Sequence, residues 1–174
     1  YNKKTEELTW AQNGEPLFAV DCQTWVGAVL GTKKIDAKHG AGTAYNVWQT
    51  LKNRSAFLCP NGDLCGVGYT DNSIAGPVFS GEWTFGAINW LKVMIADSGY
   101  SKAQIASLQA DSEDMQFGLE TYLYTNTKIN NSTETYPSVK YANKRYYIPF
   151  GWFANPLPAT SSTAWAVASN MNYN

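Results

Sequence analysis

Residues 80–95 read Ser80-Gly-Glu-Trp-Thr-Phe-Gly-Ala-Ile-Asn-Trp-Leu-Lys-Val-Met-Ile95. Apolar residues fall on nearly every face of a helix drawn through this stretch, so the helix is expected to be buried. A carboxylate and an indole, Glu82 and Trp83, stand at its head. Ser80 is placed to cap it by accepting a backbone N–H bond. Glu82, in the first turn, is favoured by the positive end of the helix dipole. Two readings of Glu82 follow. It is a helix-start charge and nothing more, or it is a proton donor beside a flat apolar face on which a pyranose ring can stack.

Similar signals recur on either side. Pro16 and Gly31 bracket a first helix, Pro16–Leu30, with Leu17, Phe18, Val20, Cys22, Trp25, Val26, Val29 and Leu30 covering most of its circumference. After a short charged link, 31–41, a second helix over 43–53 carries Tyr45, Val47, Trp48 and Leu51 on one side, as an outer helix does. A long segment, 54–79, leads into the Glu82 helix and includes a possible short strand at 66–70. Past the break at 98–100, Ser101 and Gln104 form a capping box for a helix running to about Tyr124. Its Asp111, Glu113 and Asp114 read as the solvated side. A second long segment, 125–159, precedes a last helix that starts at Thr160–Thr163. Buried helices thus alternate with one-sided ones, and short links with long loops. That alternation puts both long loops at one end, where the buried helices begin, with Asp21, Glu82 and Thr160–Thr163 on a shared rim.

The chain has 174 residues and a net charge of −1, enough for one domain over 1–174 and with no excess charge to attract nucleic acid or a membrane surface. No apolar run is long enough to span a bilayer. Seven Trp and 11 Tyr against only 16% charged residues suit a surface for neutral, hydroxyl-rich ligands, or else a large aromatic core. The chain opens on Tyr1 and its last helix pattern stops soon after it begins, which reads as a processed chain or a fragment. Cys59 and Cys65 bracket the turn sequence Pro60-Asn61-Gly62-Asp63 and are expected to be bonded. Cys22 reads as a small buried hydrophobe, or as half of a bond to another chain. Glycosylation acceptor patterns begin at Asn53, Asn130 and Asn131. With the Cys pair they point to an extracellular, secreted glycoprotein.

Gly66-Val-Gly-Tyr-Thr-Asp-Asn72 followed by the Glu82 helix, and Tyr146-Tyr-Ile-Pro-Phe-Gly-Trp-Phe-Ala-Asn-Pro156 with the helix after it, resemble secreted carbohydrate-active proteins. The rhythm of helices resembles part of an (α/α) toroid, as in the six-hairpin glycosidase superfamily. The resemblance implies a mainly α fold of helical hairpins with aromatic-rich loops on one face. A full ring needs about twice as many helices, so it also implies another polypeptide, or a second copy, that completes the fold. The expected activity is glycoside hydrolysis of a neutral polysaccharide or oligosaccharide, which takes two carboxyl groups. Glu82 is the expected acid. Asp71 is its first-choice partner and Asp21 the second. Tyr69, Trp83, Trp152 and Trp165 are expected to stack on sugars, and Arg145 and Asn155 to bind hydroxyls.

Other chemistries find less support. The single histidine, His39, lies in the short link away from the rim, which disfavours a lyase using His as base. No metal-ligand spacing, phosphate-cradling glycine loop or nucleophile elbow occurs, and no cofactor is implied. Asn61, Asp63 and Asp71 have the oxygens to hold Ca²⁺, but their turn-forming role explains them equally well. The rival from another class is a non-catalytic glycan-binding or structural subunit of an extracellular assembly.

Overall fold

The computed structural model describes residues 1–8, 10–12, 15–97, 99–129, 132–148 and 151–171, with the backbone alone at 10–12 and 15–17. Seven helices are present among these: α1 (Val20–Leu30), α2 (Thr32–His39), α3 (Thr43–Ser55), α4 (Asn72–Ala75), α5 (Gly81–Ala96), α6 (Lys102–Tyr122) and α7 (Thr160–Asn170). Eight short strands accompany them: β1 (Trp10–Gln12), β2 (Glu15–Leu17), β3 (Ala56–Leu58), β4 (Leu64–Val67), β5 (Tyr124–Lys128), β6 (Thr135–Val139), β7 (Tyr146–Ile148) and β8 (Trp152–Ala154). They pair consecutively as antiparallel hairpins, β1 with β2, β3 with β4, β5 with β6 and β7 with β8.

The architecture is a mixed α/β small domain, which overturns the expected mainly α partial toroid. The two long segments read as loops supply the difference. Segment 54–79 folds into the β3–β4 hairpin and α4, and segment 125–159 into β5–β6 and β7–β8. The first helix is shorter than expected, because Glu15–Leu17 pairs as a strand and the helix starts only at Val20. It is also less buried, since Val26, Val29 and Leu30 are exposed. The link 31–41 is itself helical, and the strand expected at 66–70 lies at Leu64–Val67.

Helix α5 occupies the centre, packed against α1, α6 and α7. Its Phe85, Trp90, Leu91 and Met94 are fully buried and join Trp48, Leu51, Leu108, Met115 and Leu119 in one hydrophobic cluster. The Ser101–Gln104 capping box opens α6 as its residues imply. Asp111 departs from its expected solvated role. It is only 8% exposed and accepts bonds from Trp48 Nε1 (2.8 Å) and Lys52 Nζ (2.9 Å), tying α6 to α3.

Two glycines set how α1 meets α5. A Cβ on Gly27 would overlap the Trp90 indole, and a Cβ on Gly86 would overlap the Trp25 indole. Each helix therefore offers a notch that receives the other's tryptophan. Trp25 meets Gly86 and, further along both chains, Gly27 meets Trp90, so α1 and α5 run parallel. On the other flank, Lys92 Nζ donates to Ser169 O at 3.2 Å, while Gly81 lies against Ser162. Helix α7 is therefore parallel to α5 as well. Three helices point the same way, and their first turns share one end.

Cys59 and Cys65 are disulfide-bonded across the β3–β4 turn. Gly62 has φ 92°, a left-handed conformation that favours glycine, and Gly62 N–H donates to Cys59 O at 2.9 Å to close the turn. Closing so small a loop contributes about 2 kcal/mol by restricting the unfolded chain. Cys22 is free and half-buried rather than fully buried. No helix among the described residues is long and apolar enough to cross a membrane. The disulfide is compatible with an extracellular location.

Candidate active site

Irregular segments from distant parts of the chain fix the three helix heads. Val20 N–H donates to Tyr69 O (2.8 Å) and Thr70 Oγ1 to Phe18 O (2.7 Å), which seats the head of α1 on the Gly66–Asp71 stretch. Gly81 N–H donates to Tyr141 O (3.0 Å) and Ser80 pairs with Ala142, which seats the head of α5 under segment 140–143. The Lys140 carbonyl passes so near Gly81 that a Cβ there would lie 2.9 Å from it. Val139 N–H donates to Thr163 Oγ1 at 3.0 Å and Val139 O accepts from Ala159 N–H at 3.0 Å, which seats the head of α7. The side chain of Ser80 makes no capping bond, contrary to its expected role; its backbone N–H donates to Val67 O.

This seating brings Asp21 and Glu82 together. Both are half-buried. Burial raises Glu82 above the ordinary carboxyl value, and the Asp21 charge raises it further; the Ser161 and Tyr141 hydroxyls facing the carboxyl oppose the rise. Burial also raises Asp21, against the pull of the Cys22 backbone N–H, which donates to Asp21 Oδ1 at 2.9 Å. The Cys22 thiol is pushed up to about 11 by burial and by Asp21, so it stays neutral and unreactive.

Tyrosines lie around this pair. Tyr69, Tyr141 and Tyr146 are all held protonated, chiefly by burial and then by the acids around them. Trp83 packs between Tyr69 (centroids 4.9 Å apart) and Tyr141 (5.6 Å). Tyr69 and Trp83 are 2% and 3% exposed, so they are packed into the interior and are not open stacking faces as expected. Trp165, partly buried, stacks on the likewise partly buried Trp25 at 5.8 Å.

An open hollow of about 420 Å³ adjoins Glu82, lined by Tyr141, Trp152, Phe153, Asn155, Leu157 and Ser161 among others. Of the residues expected to face sugar, Trp152 and Asn155 line this hollow. Trp152 is 43% exposed and its indole side chain reaches Tyr141. Asn155 Nδ2 donates to Phe153 O, and the Arg145 guanidinium lies over the Phe153 ring at 4.0 Å.

Asp71 does not join the pair. Its Oδ2 accepts from Arg54 Nε at 2.6 Å and its Oδ1 accepts from Ser73 N–H at 2.7 Å, capping α4. Arg54 also pairs with Glu7 and covers the Phe18 ring, so Asp71 belongs to a structural cluster. Of the two candidate partners, Asp21 is the one whose charge acts on Glu82. Tyr141, Tyr146 and Ser161 were not signalled by spacing, because they reach Glu82 only through the hairpins and the α7 head. Asn61 bonds Asp63 rather than an ion, and no group of three or more His, Cys, Asp or Glu that could hold a metal occurs among the described residues. Asn53 is exposed near the end of α3; Asn130 and Asn131 lie outside the described residues. Comparison with protein-family models, curated proteins and solved structures gave no match.

Proposed function

We propose that this chain is a secreted glycoside hydrolase, with Glu82 as the proton donor and Asp21 as the second carboxylate. The observation that carries the reading is the pair itself. Two half-buried carboxyls sit at the heads of two parallel helices, and Glu82 is raised by burial and then by its neighbour's charge. Such a setting favours the protonated carboxyl that a general acid needs. Glu82 protonates the departing glycosidic oxygen, while Asp21 acts on the sugar carbon directly or through water. Trp152 offers the open aromatic face beside them. An extracellular location and a glycan on exposed Asn53 agree with this reading. The exposed Trp152, Phe153 and Leu157 around the adjoining hollow favour a second reading, glycan binding without cleavage.

Glu82→Gln separates the two. Product release from a panel of neutral polysaccharides should fall by at least about 10³-fold, while binding and folding are retained, because only the transferable proton is lost. Cleavage at the wild-type rate by this variant removes Glu82 as the acid. A wild-type protein that binds but never cleaves leaves the binding reading in its place.

A further inference from the structure

We propose that the open hollow beside Glu82 is the leaving-group half of the site, where a neutral sugar unit of the departing chain lies against Trp152 while Glu82 protonates its glycosidic oxygen. The assignment rests on the hydrolase reading above. Its ground is where the hollow lies. Tyr141, in segment 140–143, and Ser161, in the first turn of α7, both line it. Both segments also stand against the head of α5. Gly81 N–H donates to Tyr141 O at 3.0 Å, the Tyr141 ring meets Trp83 with centroids 5.6 Å apart, and a Cβ on Gly81 would lie 2.9 Å from Ser162. From there the Tyr141 and Ser161 hydroxyls face the Glu82 carboxyl. No α1 residue is among the described residues that line the hollow, so it opens on the Glu82 side of the pair and not on the Asp21 side. The lining also selects a kind of ligand. None of these residues carries a charge, and Arg145, over the Phe153 ring, is not among them. An acidic sugar therefore finds no charged partner in the lining, whereas a neutral one can set its apolar face on an exposed ring and its hydroxyls on an amide. Trp152 supplies the ring, and its indole N–H donates to the Tyr141 hydroxyl, which ties it to the group that bonds Glu82. Asn155 supplies the amide, held by its bond to Phe153 O at 3.2 Å. In the step so arranged, the proton passes from Glu82 to the glycosidic oxygen, the bond from that oxygen to the anomeric carbon breaks, and the departing sugar leaves as an alcohol. Water supplies a hydroxyl to the anomeric carbon and returns a proton to the carboxyl pair.

The test compares two leaving groups on one sugar. Cellohexaose, laminarihexaose, maltohexaose and chitohexaose put a departing sugar in the hollow. The disaccharide fluorides of the same linkages and anomeric configurations put only fluoride there, and fluoride leaves with little help from an acid. Trp152→Ala should lower kcat/KM roughly ten- to hundredfold for the hexaose that wild type cleaves, and leave the matching fluoride within about threefold. Trp152→Phe, which keeps a flat face and loses the N–H, should stay near wild type on both. Equal loss on both substrates, in a Trp152→Ala protein that melts like wild type, overturns the proposal, because the hollow then serves the retained sugar. No loss on either substrate overturns it too. So does a Trp152→Phe protein as impaired on the hexaose as Trp152→Ala, since the bond to Tyr141 and not the face is then what counts. If Trp152→Ala melts lower, Asn155→Ala decides by the same comparison: a loss confined to the hexaose supports the assignment, and any other pattern overturns it. Failure of the hydrolase reading looks different. The wild type then releases no product from any hexaose or fluoride, and the assignment falls with it. A hexaose cleaved by wild type, spared by Glu82→Gln inactivation alone and untouched in Trp152→Ala, sinks only the leaving-group assignment.

Discussion

Asp21, Asp71 and Glu82 carry the same chemical group, and their surroundings divide them. Burial raises Asp21 and Glu82. Asp71 is also pulled upward by burial, but Ser73 and the Arg54 guanidinium outweigh that and hold it below its usual value. The signs give opposite dependences of stability on pH. A carboxyl raised in the folded state contributes stability below its unfolded value, near 4.5 for Glu, and loses it as pH climbs through the folded value. Asp71 contributes above its unfolded value of 3.8 and loses that as pH falls through its lowered one. Glu82→Gln is therefore expected to melt higher than wild type at pH 7, with the gain vanishing below about pH 4. Asp71→Asn should melt lower at pH 7, with the deficit shrinking in acid. Thermal melts across pH 3–8 check both, and a Glu82→Gln protein destabilised at pH 7 contradicts the reading of Glu82 as a strained acid. Glu82 was legible because it heads an apolar helix, whereas Asp21 stands at a helix head only because the first helix starts at Val20 and not at Pro16. The fate of Asp71 was not, since it depends on Arg54, 17 residues away on another element.

At the scale of elements, the helices were written plainly and the hairpins were not. The capping box of α6 and the apolar run of α5 are local signals, and both appear where the residues place them. The strands span three to five residues and lack alternation. In β4 all four residues are buried, while β6 is exposed for three and then buried for two. No period of two survives in so short a segment, so the long segments read as loops. The reciprocal Gly–Trp notches were equally hidden, because a glycine inside a helix pattern signals only weakness until its neighbour is known. They carry a prediction. Gly27→Ala gains helix propensity but drives a methyl into Trp90, which is fully buried and has nowhere to go. A net loss of about 1–3 kcal/mol is expected in denaturant titrations. A gain in stability would mean that the indole can swing aside, and that the notch does not set the packing of α1 on α5.

For the whole molecule, the apolar strip Val26, Val29 and Leu30 on α1 is 41%, 83% and 44% exposed. An exposed apolar strip of this kind favours association, a ground separate from the incomplete ring on which a second polypeptide was expected. Val29→Asp should leave the melting temperature nearly unchanged and reduce concentration-dependent sedimentation. A wild-type protein that sediments as a 19.2 kDa monomer at every concentration contradicts the expectation. The bonds that seat the helix heads join Thr70 to Phe18 across 52 residues and Phe79 to Asn143 across 64, while Lys92 reaches Ser169 across 77. Contacts so distant along the chain form late in folding. During synthesis, Asp21 and Glu82 leave the ribosome long before the segment that carries Ser161. The half-made chain therefore holds both carboxyls without the hydroxyl that faces Glu82, and the surroundings of Glu82 are assembled only when α7 docks.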